Sequence, residues 1–259
     1  WHKSLFKYAK DKRIKIFSTP FSEEAIYFLE KLKCHAYKIA SFEMNDYNLV
    51  KVAAKTKKPL ILSTGLSTMD EIENAVYVAK KNGCKDLTLL YCVSNYPSQS
   101  NDFNLNYIQE FKKRFKCRVG LSDHSLGSEI AKYSLISGAT VFEKHIALQN
   151  QKEGLDLDFS LRGKELKTYS EALIKTFQLI SDKKFTRSKN ELKNKIFRRS
   201  IYAVQDIKKG DIFSKKNIRT FRPEKGISAG YYLDILNKKS PIDIKKNYPL
   251  PKKILNKFL

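Results

Sequence analysis

With 259 residues, the chain is long enough for one large domain plus a small one, and for a sizeable buried core. Its 42% hydrophobic content excludes a disordered chain. No apolar run approaches the ~18 residues of a membrane helix; the longest, Leu87–Val93, has strand length, so no membrane partner is expected. Fifty Lys and Arg against 27 Asp and Glu leave a net charge of +23. The charge is spread along the chain in short clusters such as Lys183-Lys184 and Lys245-Lys246, without a nucleic-acid-binding signature. We read it as a solvated surface whose field also attracts anionic substrates, and expect no nucleic-acid partner. Cys34, Cys84, Cys92 and Cys117 form no CxxC pair, and three of them lie in or beside apolar runs. Unpaired thiols of this kind suit a reducing cytoplasm.

The chain opens at Trp1 inside a helical stretch, Trp1–Asp11. A repeating unit follows, in which a short apolar run ends in polar residues and leads into an amphipathic segment. The runs are Ile14–Ser18, Tyr37–Ser41, Pro59–Gly65, Leu87–Ser94, Arg118–Asp123 and Thr140–His145. Nearly continuous apolar runs alternating with helices predict parallel strands buried on both faces. The helical stretches include Glu23–Leu32, Met69–Asn82, Asn104–Phe115 and Leu126–Ser137. In the second, Ile72, Ala75, Val76 and Ala79 share one face, and Gly83 marks its stop. Six βα units predict a (β/α)8 TIM barrel; since a barrel needs eight strands, the first two βα units are expected upstream of this sequence. A Rossmann-like sheet would also accept six strands, but its Gly-rich first turn is absent.

After His145 come a polar loop, Gln149–Asp158, and a helix from about Lys164 to Ser181. Residues 182–197 are charged and weakly apolar and read as a linker. From Arg199 the texture changes to short strand-like pieces (Ser200–Val204, Ile218–Phe221) and turns rich in Gly and Pro. The predicted organisation is a barrel domain over 1–181, a linker over 182–197 and a small β domain over 198–259. So small a domain is expected to bury little core and to need a docking surface.

Barrel sites lie at the C-terminal ends of the strands. Here those ends carry Ser18-Thr19, Ser41, Ser63-Thr64-Gly65, Ser94-Asn95-Tyr96, Ser122-Asp123-His124 and Glu143-Lys144-His145. Thr19, Ser63 and Asp123 singly could be helix caps or turn formers. Polar ends on all six runs point to an active site, and hydroxyls suit a phosphate. His124 and His145 end neighbouring strands, as a pair of metal ligands would, although each alone could be structural. Alternation puts Glu143 on the face of His145, and Ser122 on that of His124. Lys38, inside a strand, needs an opposite charge unless it sits at a bulge or faces a helix.

Phe17-Ser18-Thr19-Pro20-Phe21, Tyr37-Lys38-Ile39-Ala40-Ser41-Phe42-Glu43, Ile61-Leu62-Ser63-Thr64-Gly65, Gly120-Leu121-Ser122-Asp123-His124 and Glu143-Lys144-His145 resemble, in order, the barrel motifs of the sialic acid synthase family. Arg199-Ser200-Ile201-Tyr202, Lys208-Lys209-Gly210 and Arg222-Pro223 resemble its C-terminal antifreeze-like (SAF) domain. The Lys-Ile-Ala-Ser-Phe-Glu form is closer to the pseudaminic acid branch; the sialic acid branch favours Gly in place of the Phe.

The resemblance implies condensation of phosphoenolpyruvate with an N-acetylated amino-sugar, here 2,4-diacetamido-2,4,6-trideoxy-altrose. Thr19, Ser41, Ser63, Ser122 and Lys38 would hold the phosphate, and His124 and His145 a divalent metal, Mn2+ or Mg2+. Glu143 and Tyr96, with Asp156, would place metal, water and sugar. The resemblance also implies a domain-swapped homodimer in which Arg222 of one chain reaches the partner's amino-sugar. Family members carry a further acidic residue and a Lys on upstream strands. The alternatives are N-acetylneuraminate or legionaminic acid synthesis, and a truncated relative acting as a binding or partner module. A barrel hydrolase would want a closer His-x-His pair.

Overall fold

The structure is a computed structural model that describes residues 1–180 and 185–258. Ser181 at the predicted helix end, residues 182–184 of the predicted linker with the Lys183-Lys184 cluster, and Leu259 lie outside the described residues. The chain divides into two units, Trp1–Ser181 and Asp182–Leu259.

The first unit is built on a five-stranded parallel sheet of β1 (Tyr37–Ile39), β2 (Leu60–Ser63), β3 (Leu87–Cys92), β4 (Arg118–Asp123) and β5 (Val141–Lys144), in that order. Helices α1 (His2–Asp11), α2 (Glu23–Lys31), α3 (Tyr47–Lys55), α4 (Met69–Lys81), α5 (Asn106–Phe115), α6 (Glu129–Ile136) and α7 (Lys164–Ile180) alternate with them. Five of the six apolar runs become sheet strands; four end short of the run's polar end, and Arg118–Asp123 is strand along its whole length. The run Ile14–Ser18 does not: it makes a single parallel bridge, Ser18 to Tyr37. Ile14 is 65% exposed and Phe17 39%, so the burial that holds the other strands is missing there.

Local signals account for the helices. Ser22 caps α2, Asp46 caps α3, and Thr68 and Glu71 form a reciprocal capping box on α4. The buried residues of α4 are Ile72, Ala75, Val76 and Ala79, the face predicted from spacing. Gly83 follows at φ +100°, the left-handed turn that suits glycine after a helix. Ile26, Leu49, Ala53, Ile72, Ile108 and Ile130 pack with Ile39, Leu62, Leu89 and Leu121 of the sheet into one core. The loop after β5 is drawn closed by two short parallel strands, β6 (Ile146–Ala147) and β7 (Leu161–Arg162).

The second unit contains α8 (Lys189–Lys193), an antiparallel pair β8 (Ser200–Ala203) and β9 (Ile218–Phe221), and the single turn α9 (Tyr232–Ile235). It has its own core of Ile201, Phe213, Ile218, Ile227, Ile235 and Leu250, each at most 1% exposed. That is more core than its size led us to expect. Isolated bridges such as Tyr202–Pro249 and Ile207–Ile244 fold the irregular chain back on itself and enclose these side chains. Among the described residues, no helix is long and apolar enough to cross a membrane.

Gly120 lets β4 approach its neighbours. A Cβ there would lie 2.2 Å from the Val141 carbonyl oxygen and 2.7 Å from Leu90 Cδ2. Gly120→Ala should therefore lower stability by about 1–3 kcal/mol, the usual cost of overpacking, read from urea unfolding of the whole chain.

Candidate active site

The polar strand ends of the first unit meet around a cavity of about 220 Å³. Thr19, Lys38, Ser41, Ser63, Tyr96, Ser122, His124 and His145 line it, all predicted from the sequence, together with Phe21, Ala40, Phe42 and Cys92. A second cavity, of about 520 Å³, lies by the N-terminal ends of α6 and α7, walled by Leu126, Asp158, Phe159 and Arg162 among others. It is larger but lacks the converging hydroxyls and histidines, so we assign the site by its chemistry rather than by volume.

Lys38 Nζ lies 2.9 Å from Glu143 Oε1, which also accepts a 2.7 Å hydrogen bond from Ser122 Oγ. The opposite charge that the half-buried Lys38 required is thus Glu143, on the far edge strand of the sheet. Glu143 joins the site through these partners. Ser41 Oγ lies 3.0 Å from Ser94 Oγ, which lies 3.8 Å from Cys92 Sγ. Burial pushes the Cys92 thiol above its ordinary pKa, so it stays a protonated wall rather than a nucleophile. Gly65 makes room for this cluster: a Cβ there would fall 2.1 Å from Ser94 Oγ and 3.1 Å from Cys92 Sγ.

The cap and turn alternatives resolve residue by residue. Thr19 is not the cap of α2, since Ser22 is. Asp123 is a turn former, accepting from the Ser125 backbone N–H. Ser63 caps nothing: its Oγ is buried with no hydrogen-bond partner, although it borders the cavity. An unpartnered buried hydroxyl facing a cavity is the mark of a group kept for a ligand.

His124 and His145 come together, ring centroids 5.4 Å apart. His124 Nδ1 is 2.9 Å from the Val93 carbonyl oxygen. That contact selects the Nδ1–H tautomer and leaves Nε2 with its lone pair. Burial holds the His124 pKa below its ordinary value, and the neighbouring His145 adds to this, so the ring is neutral and able to ligate. His145 Nδ1 lies 3.3 Å from Asp156 Oδ2, which brings the predicted Asp156 to the site from the loop after β6. Tyr96 stacks on His124 at 4.3 Å, and its hydroxyl pKa is raised, chiefly by burial. Among the described residues, no group of three or more His, Cys, Asp and Glu could hold a metal ion. A metal here would therefore rest on two imidazoles and take its remaining ligands from water and substrate oxygens.

Phe159 was not anticipated from the sequence. It is buried, with its ring 5.0 Å from His145, 5.9 Å from His124 and 5.5 Å from Tyr96. Its only sequence signal is being the one aromatic residue between the polar loop and Leu161. Ser94 stands among the polar strand ends read from the sequence and Cys92 only among its unpaired cysteines, and neither carries a role there. Arg222 lies in the second unit, exposed at the end of β9.

Residues 1–185 match the model of the NeuB family, and residues 198–255 that of the SAF domain. The pseudaminic acid synthase of Campylobacter jejuni serotype O:2 is 41% identical over 95% of this chain and 71% of its own length. That of Helicobacter pylori is 37% identical over 96% and 74%. The N,N'-diacetyllegionaminic acid synthase of Campylobacter jejuni is 41% identical over 92% and 72%. Among solved structures, a sialic acid synthetase from Leptospira borgpetersenii, in complex with citrate, superposes with a TM-score of 0.70 at 32% identity, over 74% of this chain and 67% of the other. Spore coat polysaccharide biosynthesis protein E from Chromobacterium violaceum superposes with a TM-score of 0.82 at 24% identity, over 97% and 76%, a likeness of fold.

Removing the Ser63 hydroxyl separates stability from binding. Ser63→Ala deletes a buried polar atom without a partner, so the chain should melt no lower than the wild type. Binding of inorganic phosphate, followed by calorimetry, should weaken about tenfold.

Proposed function

Because the chain belongs to the NeuB family, we propose that it is a nonulosonic acid synthase that condenses phosphoenolpyruvate with 2,4-diacetamido-2,4,6-trideoxy-altrose, giving pseudaminic acid and inorganic phosphate. The observation that carries the reading is the convergence of one lysine, a ring of serine and threonine hydroxyls and a histidine pair on a single small cavity.

In this reading, the hydroxyls of Thr19, Ser41, Ser63 and Ser122 donate hydrogen bonds to the phosphate, Ser122 by turning its single O–H from Glu143 to the anion, and Lys38 supplies the positive charge. Lys38 is held in the cavity by Glu143 until the anion arrives. The enol carbon of phosphoenolpyruvate attacks the open-chain aldehyde of the sugar, forming the new C–C bond. Water then adds to the cation left at the former enol C–O carbon, and phosphate departs by cleavage of that C–O bond. Glu143, whose carboxylate is freed when Ser122 turns to the phosphate, orients this water. Asp156 turns the His145 ring through Nδ1, Tyr96 packs on the His124 ring, and the Phe159 ring meets both imidazoles edge-on.

His124 and His145 would hold a divalent ion, which supplies Lewis-acid polarisation of the aldehyde when bound. Imidazole donors favour Mn2+ over Mg2+. Phe42, exposed at the rim beside Ser41, offers an apolar wall to the deoxy carbon of the sugar.

The test is phosphate release by the protein expressed from its complete reading frame. The 6-deoxy diacetamido sugar should be preferred over N-acetylmannosamine by about tenfold to a hundredfold in kcat/KM, the cost of burying a hydroxyl against an apolar wall. Chelator, His124→Ala and His145→Ala should each remove bound Mn2+ and lower turnover at least about a hundredfold. Equal use of the two sugars would overturn the sugar assignment. Retained metal in the double histidine variant would overturn the metal assignment. The N,N'-diacetyllegionaminic acid precursor belongs in the same assay, given the equally similar Campylobacter relative.

A homodimer in which Arg222 of one chain completes the partner's sugar site belongs to the same proposal. Its planar guanidinium suits an acetamido carbonyl. Arg222→Ala and His124→Ala proteins, each poorly active alone, should regain activity on mixing, because a heterodimer then contains one intact barrel with one intact cap. If heterodimers form without activity, Arg222 does not act across the dimer.

A further inference from the structure

The strand ends that carry the histidine pair also carry a second cluster, on the opposite face, which the chemistry above does not use. Side chains alternate along a strand, so Ser122 and His124 face the cavity from β4, and Glu143 and His145 follow the same face of β5. Asp123 and Lys144 are register partners one step out of phase and point the other way. Asp123 is fully buried and Lys144 nearly so, with side-chain exposures of 0% and 5%.

Asp123 Oδ1 accepts from the Ser125 N–H at 2.9 Å and from Ser125 Oγ at 2.6 Å. Its Oδ2 accepts from Tyr169 Oη, on α7, at 3.0 Å and lies 3.3 Å from Lys144 Nζ. Lys144 Nζ also donates to the Ser125 carbonyl oxygen and lies 5.9 Å from the centre of the Tyr169 ring. His124 is therefore bracketed by two residues of this network, Asp123 and Ser125, and His145 is preceded by a third.

We propose that the buried Asp123–Lys144–Tyr169 network is the positioning device of the histidine pair, setting the register of the β4 and β5 ends on which His124 and His145 stand. The inference rests on the reading of the rim as the active site. Neither buried charge can follow a shifted strand end into solvent, so a slip of β4 against β5 breaks the ion pair and strands both groups. An apolar pair of the same volume would seal this face equally well but would not fix the relative placement of two strand ends. Tyr169 ties both to α7, so the helix holds the rim from outside. The network thus stands to the histidines as an outer shell stands to ligands, through the backbone rather than through the ring nitrogens.

The experiment compares ring cross-peaks of the histidines by NMR in the wild-type chain, Tyr169→Phe and Asp123→Asn. The chain has four histidines, and His2 and His35 lie away from the network as internal references. Peaks of His124 and His145 should shift together in the variants while those of His2 and His35 stay in place. Broadening of the first pair by MnCl2 alone should need about tenfold more Mn2+. If all four peaks move equally, the network merely holds the fold, and if His124 and His145 keep their wild-type positions, it positions nothing; either result overturns the proposal. Tyr169→Phe removes one hydroxyl and keeps the test available should Asp123→Asn fail to fold. A wild type whose histidines ignore Mn2+ refutes the metal reading above, while the peak positions still decide this one.

Discussion

The ion pair between Lys38 and Glu143 is the contact on which the site depends. The two residues stand on β1 and β5, the outermost strands of a five-stranded sheet. In a flat sheet these strands would be about 19 Å apart, at about 4.8 Å per step, which is farther than the two side chains can reach together. Contact at 2.9 Å requires the sheet to curl until its edges face one another. The same curl brings the five strand ends around one cavity and places hydroxyls from β1, β2 and β4 where a single anion could touch them all. It also satisfies the charge of a lysine that stands in a strand between the buried Tyr37 and Ile39.

Curling gives the strand ends two faces with different duties. The concave face carries Ser122, His124, Glu143 and His145, the groups suited to chemistry. The convex face carries Asp123 and Lys144, locked to Tyr169 under the helices. Both charges are withdrawn from water, and burial holds the Lys144 pKa below its ordinary value despite the attraction of Asp123. Removing one partner of such a pair typically costs about 3–5 kcal/mol, because the other is left buried and alone. The rigid side of the strand ends thus backs the reactive side.

Within the cavity, stability has been given up locally. Ser63 Oγ is buried without a partner, and Gly65 leaves open a space that any side chain would fill. Polar groups of this kind are costly in the free protein and gain their partners from a ligand. Tyr96 and the two imidazoles also line the cavity, and Phe159 packs against all three rings at tilted or edge-on angles.

By itself, the sequence determined the order of strands and helices, the division into a barrel part and a small β unit, and the rim residues. Strands buried on both faces must be continuously apolar, and their polar ends then stand out as the residues with another purpose. The helix face of α4 and its stop at Gly83 were legible for the same local reason, since periodicity and φ preference act over a few neighbours. Tertiary structure alone decided that Ile14–Ser18 is not a full strand, because a strand needs burial that its own residues do not supply. It alone matched Lys38 to Glu143, gave Asp123 to Lys144 and Tyr169 rather than to a helix cap, left Ser63 without a partner, and brought Phe159, just past the polar loop, against both histidines. Each of these turns on which residues far apart in the chain meet, or fail to meet, and so on how a sheet curls and on which face of it a helix packs, which no local pattern of residues encodes.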